Sequence, residues 1–429
     1  MNKKNIVFVI LLVIFTLCGV FIGRQSKVID VYENNETNIK KSKNMLSMML
    51  ETEAGSGNYE MTTRESWPTE GYIFNTELSK CENGGELSWD DTNKIVLMSG
   101  NVSDKCYVYF DMIPSVLLAD FVISQYNGIQ GNNNIYYHDS SLTNGAKDNS
   151  YRYAGASKSV NNYVCFGSTE SPCPADNLYR IIGVFDGQVK LIKATKATKA
   201  TSSLLGTDGG YVSDTTYRWS TLTECPSDAT AYIKNENVTK VSKKNTLVAQ
   251  NVPEKPAVQG CNEWKYSTFN TVNLNTNYLN NIGTTWSNMI ENTTWKVSGH
   301  TTNGVTPKAM YTAEITNATK TYGPENGTSK IGLMYVSDYG FAASPRYWIT
   351  TLSNYNESVN RNWMYMGLAE WTITPDSSDS DGVFYLGSNG NLSTDFASNG
   401  YGARPVLYLK ASVAYAGGSG TQSDPIIGD

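Results

Sequence analysis

Six of the seven cysteines stand in sequence-neighbouring pairs, Cys81 with Cys106, Cys165 with Cys173 and Cys225 with Cys261, each bracketing a hairpin or loop. An even set of this kind predicts a disulfide framework in an oxidising compartment and ties the fold to short local closures. Six cysteines allow fifteen connectivities, and the alternative is a set of free buried thiols in a reducing compartment. Zinc is disfavoured, because no Cys-x2-Cys spacing occurs.

The seventh, Cys18, lies in an apolar run over residues 6–23, preceded by Asn2, Lys3, Lys4 and Asn5 and closed by Arg24 and Lys27. At helical rise the run reaches about 27 Å, close to the roughly 30 Å hydrocarbon core of a bilayer. No small-x-small cleavage site follows, and Leu17 stands where a lipoprotein signal wants a small residue, so an uncleaved signal anchor is expected over residues 1–27. The basic residues before it hold the N-terminus inside. A single-pass protein of the cell membrane, with its bulk extracellular, follows from this reading. The chain carries no Leu-Pro-x-Thr-Gly wall-sorting signal, so anchorage rests on that segment.

Residues 28–57 read as a stalk helix, with Met45, Leu46, Met48, Met49 and Leu50 on one apolar face. Short strand patterns fill a small β module over residues 58–112, which Cys81 and Cys106 would staple, since so small a core buries little apolar surface. A helix over residues 113–128 and a Gly/Asn-rich linker complete the segment 113–147. The large domain, residues 148–429, holds DNLYRIIGVFDGQVKLIKAT (176–195), two apolar strands around Asp186-Gly187, a dipeptide that tolerates the positive φ of a tight hairpin turn. Leu274, Tyr278, Leu279, Ile282, Trp286, Met289 and Ile290 recur near helical spacing, with Asn280, Asn281 and Gly283 splitting the helix. Strand, helix, long loops and strand make an α+β domain with a mixed or antiparallel sheet.

With 34 basic against 40 acidic residues, the chain offers no electrostatic footprint for a phosphate backbone, and nucleic acid is excluded as a partner. An enzyme needs a poised nucleophile, an acid/base pair or a metal. The only histidines are His138 and His300, both read as surface loop residues, and no hydrolase, metalloprotease, phosphate-loop or dinucleotide motif occurs. Glu370, Asp395 and Asp338 are the carboxylates a glycosidase would draw on. Asp376, Asp379 and Asp381 resemble part of a calcium loop, but Ser377 and Ser388 fall where Asp and Glu are wanted, which favours a solvated turn.

Three stretches, NNYVCFGSTESPCPADNLYRIIGVFDGQVKLIKAT, KIGLMYVSDYGFAASPRYW and the ending that contains GYGARPVLYLKASVAY, resemble a group of uncharacterised surface proteins of gut Firmicutes and related bacteria. That ending looks like the last strands of the C-type-lectin-like fold, which also occurs in formylglycine-generating enzymes and in the variable proteins of diversity-generating retroelements. The resemblance implies a fixed sheet whose long loops bind ligand, with calcium as a possible cofactor. It places the binding surface on Tyr347, Trp348, Asn354, Tyr355, Asn356, Asn360, Arg361, Asn362 and Tyr365, to which Asp395 is added. Trp363 and Trp371 read as packing residues. The formylglycine-generating enzymes rely on cysteines near the end of the domain, and this chain has none after Cys261. The expectation is therefore non-catalytic binding or adhesion to a carbohydrate or a cell-surface protein. A pilin-like subunit and a surface glycosidase are the alternatives.

Overall fold

The computed structural model describes residues 45–62, 67–68, 71–100, 104–195, 204–223, 225–226, 260–323 and 330–429. The chain divides into two compact units, Met1–Ser115 and Val116–Asp429. All three expected disulfides are present, Cys81–Cys106, Cys165–Cys173 and Cys225–Cys261.

In the first unit a four-stranded sheet runs in the order Tyr59–Thr62, Met45–Glu51, Lys105–Met112, Tyr72–Cys81. Within the described part of the expected stalk helix, Met45–Glu51 is instead a strand, paired in parallel with Lys105–Met112. Leu46, Met48 and Leu50 all pack into the small core with Phe74, Val108 and Phe110, at the two-residue period of a strand. Clustered apolar residues had satisfied both periods, and the partner strand decides between them. Cys81 and Cys106 face each other across the antiparallel ladder, which is why this pair closes.

The second unit is built on a nine-stranded sheet. At its centre the hairpin Leu178–Phe185/Gln188–Lys193 turns through Asp186 and Gly187, whose φ values of 48° and 78° are the positive pair that a two-residue turn demands. Gly183 is required for a different reason: a Cβ there would lie 2.2 Å from the Tyr151 carbonyl oxygen, so only glycine lets Tyr151–Tyr153 cross so closely. Ile426–Gly428 beside Tyr163–Cys165 is the parallel pair in a sheet otherwise antiparallel. A separate ladder of Glu370–Pro375, Gly382–Leu386 and Leu392–Phe396 carries the C-terminal aromatic segment.

Strand and loop dominate and the structure is 21% helical, which overturns the expected α+β class. The helix expected over residues 113–128 shortens to Leu118–Ser124, because Leu117 is drawn into a bridge with Ala414. The long helical pattern breaks at Gly283, φ 87°, and its first part, Phe269–Tyr278, winds as a π-helix. Its asparagines act as stitches: Asn273 Nδ2 donates to Leu205 O at 2.8 Å while its Oδ1 accepts from Gly210 N, and Asn275 bonds Ile331 at both N and O.

No helix among the described residues is long and apolar enough to cross a membrane. The expected single-pass membrane location is corrected on that finding; the run at residues 6–23 lies outside the described residues.

Candidate functional site

Two regions of the second unit present chemistry, a polar segment over residues 344–365 and a cavity beside the central hairpin. The segment alternates anchors with exposed residues. Trp348, Tyr355 and Asn362 are buried. Trp348 Nε1 donates to Ala343 O at 2.9 Å, Asn362 Nδ2 to Tyr339 O at 2.9 Å, and the Tyr355 hydroxyl to Gly340 O. The neighbouring Trp363 is also buried, its Nε1 donating to Tyr153 O. Between these anchors Asn354, Asn356, Asn360 and Arg361 are exposed, and Tyr347 and Tyr365 are half-buried. Asn356 N–H is tied to Asn391 Oδ1 at 2.7 Å, and the Tyr365 hydroxyl to Ser388 O at 2.6 Å. Arg346 lies over the Tyr347 ring at 4.6 Å. Of the residues assigned from the sequence, then, three serve as internal anchors and six stand at or near the surface. Asp395 is half-buried on its own ladder, accepting from the Tyr401 hydroxyl and Phe396 N.

The cavity, about 300 Å³, was not read from the sequence. The strand Tyr151–Tyr153 supplies Arg152, the hairpin supplies Lys190, and the helix Val336–Ala342 supplies Asp338. Asp338 closes a capping box on that helix, its Oδ2 accepting from Tyr335 N at 3.0 Å. The same oxygen accepts from Lys190 Nζ at 2.6 Å, and Oδ1 from Arg152 Nη1 at 3.4 Å. Arg152 Nη2 reaches Asp148 Oδ2 at 2.6 Å, which also accepts from the Tyr311 hydroxyl at 2.8 Å. Burial opposes the charge on Asp148, but Arg152, Ser150 and Tyr311 outweigh it and hold the carboxyl below the ordinary range. Burial lowers Lys190, with Asp338 opposing the fall. Nearby Glu314, fully buried, accepts from Val336 N, Ser337 N and the Thr374 hydroxyl, and burial pushes it up to about 7. The sequence signal for this cluster was a lysine set between Val189 and Leu191 in a strand that is buried along its length.

The other carboxylates weighed for catalysis are differently engaged. Both oxygens of buried Glu370 accept from Arg404, Nε and Nη2 each at 2.7 Å. His138, expected at the surface, is fully buried against Phe341 and Trp348, with Nδ1 accepting from Ala146 N; burial, and then Arg152, lower it well below its ordinary value. Strand Ile135–Tyr137, immediately before it, joins the sheet and carries the residue inward. Asp376 Oδ1 accepts from Ser378 N and Oγ, an Asx turn closed on itself. Among the described residues, no group of three or more His, Cys, Asp or Glu side chains is placed to hold a metal ion.

No family model, curated protein or solved structure matches the chain. The lectin-like resemblance therefore rests on the sequence stretches that carry it.

Proposed function

We propose that this is an extracellular, non-catalytic binding protein whose second unit engages a carbohydrate or a protein surface through residues 344–365. The carrying observation is the alternation in that segment: Trp348, Tyr355, Asn362 and Trp363 are buried and hydrogen-bonded, while Asn354, Asn356, Asn360 and Arg361 are exposed between them. Anchors of this kind remove the ordering cost that a loop otherwise meets on binding. Amide and guanidinium groups supply adaptable hydrogen bonds, and the half-buried Tyr347 and Tyr365 supply contact area with few rotors. Three disulfides support the extracellular reading. A binding role is favoured over a glycosidase because each carboxylate weighed for one is engaged: Glu370 by Arg404, Asp338 by Lys190, Arg152 and Tyr335 N–H, and Asp395 by the Tyr401 hydroxyl and Phe396 N–H.

The test is an array of glycans and cell-surface proteins probed with the full chain, with and without calcium. The chain carrying Asn354→Ala, Asn356→Ala, Asn360→Ala and Arg361→Ala is expected to bind its hit at least tenfold more weakly with unchanged thermal unfolding. Equal binding by the two chains refutes the assignment to this segment. Turnover of a bound glycan refutes the non-catalytic reading.

A further inference from the structure

The cavity places an amine and a carboxylate in contact for which the binding role has no use. Lys190 Nζ lies 2.6 Å from Asp338 Oδ2, with side-chain exposures of 1% and 2%. Aromatic rings enclose the amine: Tyr335, Tyr408 and Phe185 have centroids 4.4, 5.3 and 5.4 Å from Nζ. Both side chains border the cavity. Asp338 carries two further donors, Tyr335 N–H on Oδ2 and Arg152 Nη1 on Oδ1.

We propose that Lys190 and Asp338 condense to an intramolecular isopeptide bond. A bond forms between Nζ and the carboxylate carbon, one carbon–oxygen bond of Asp338 breaks, and that oxygen leaves as water with two protons of the former ammonium. The ammonium and carboxylate together hold every atom and charge of the amide and the water, so no oxidant, reductant or co-reactant is needed. In free solution this condensation is opposed because two hydrated ions surrender their water. Here both ions have already been dehydrated by folding, and the amide replaces a buried ion pair, itself an expensive arrangement. Fixed contact gives an effective molarity that can reach roughly 10⁵–10⁸ M for well-oriented groups. Arg152 and Tyr335 N–H hold the two carboxylate oxygens and can stabilise negative charge as nitrogen adds to carbon. The cavity receives the released water. Glu314, buried beside the helix start, is a further acid whose charge acts on Lys190. Loss of the Lys190 and Asp338 charges leaves Arg152 paired with Asp148 at 2.6 Å, so Arg152 keeps a counter-charge. The bond joins the central hairpin to the helix Val336–Ala342 across 148 residues of chain, a clamp suited to a protein that holds a ligand against pulling.

The experiment is a peptide map and intact mass of the folded full chain after reduction and alkylation of its cysteines. The expected result is a deficit of one water and a branched peptide joining Lys190 to Asp338. Both disappear in Lys190→Arg, which keeps the positive charge but does not condense. Unmodified mass with Lys190 and Asp338 in separate linear peptides overturns the proposal. A one-water deficit that maps to Asp186-Gly187 as a succinimide, with a linear Lys190 peptide, overturns it equally. Should Lys190→Arg fail to fold, the peptide map of the unaltered chain decides alone.

Discussion

Two buried charge clusters lie in the second unit and differ in how completely they are closed. Arg404 and Glu370 form a two-point fork, each side chain 1% exposed, with Nη2 also donating to Met364 O. Every carboxylate oxygen there meets a rigid planar partner, the geometry in which guanidinium surpasses ammonium. The Lys190 cluster uses an ammonium, shares Asp338 among three donors and opens on a cavity. Both pairs are equally buried, but the first is closed on itself and the second borders open space. Burial of an ion pair alone therefore does not distinguish a strut from a site, whereas the presence of adjoining space does.

The difference can be broken most forcefully at the closed pair. Glu370→Ala strands Arg404 in the interior and is expected to cost about 3–5 kcal/mol, while Glu370→Leu combined with Arg404→Met restores most of the loss. Urea unfolding measures both; a single variant that loses under about 1 kcal/mol would remove the distinction between strut and site.

A smaller effect belongs to Glu314. Its folded value of about 7 stands above the ordinary 4.5, so the folded state holds the proton more tightly. The stability it contributes is complete below the unfolded value and is lost as pH rises through the folded one, roughly 3 kcal/mol at most for a shift of that size. Glu314→Gln, which mimics the protonated acid, should flatten stability across that window in thermal melts at stepped pH; an unchanged slope would show that Glu314 does not cause it.

Asp148 acts in the opposite sense and more weakly. Against the opposing cost of burial, Arg152, Ser150 and Tyr311 depress its carboxyl, so its contribution is present above the ordinary carboxylate value and is lost as pH falls towards the folded one. Asp148→Asn removes the 2.6 Å partner of Arg152 and should cost about 1–3 kcal/mol, with loss of part of the acid limb. A cost equal to that of Glu370→Ala would make the two clusters alike.

Much of the covalent and local framework was legible before any fold was known. The pair Asp186-Gly187 specified its hairpin because few other dipeptides accept two positive φ values in succession. Cysteine proximity along the chain selected the three observed bridges out of fifteen sets. The strand at Met45–Glu51 was not legible, because its apolar residues fit both a helical face and an alternating one. His138 misled for a related reason: a polar residue amid Gly and Asn reads as surface until a strand carries it under Trp348. Within residues 344–365, residue type pointed to a binding loop but did not separate the anchors from the exposed positions.

By itself the chain's order of residues determined what is short-range: turns, cysteine pairing and the apolar strands, each set by neighbours a few residues apart or by backbone sterics. Only the tertiary structure decided which asparagines are stitches and which face solvent, and that Lys190 meets Asp338. Those outcomes depend on segments far apart in sequence being packed together, where burial forces each polar group to find a partner, and no local pattern encodes which partner that will be.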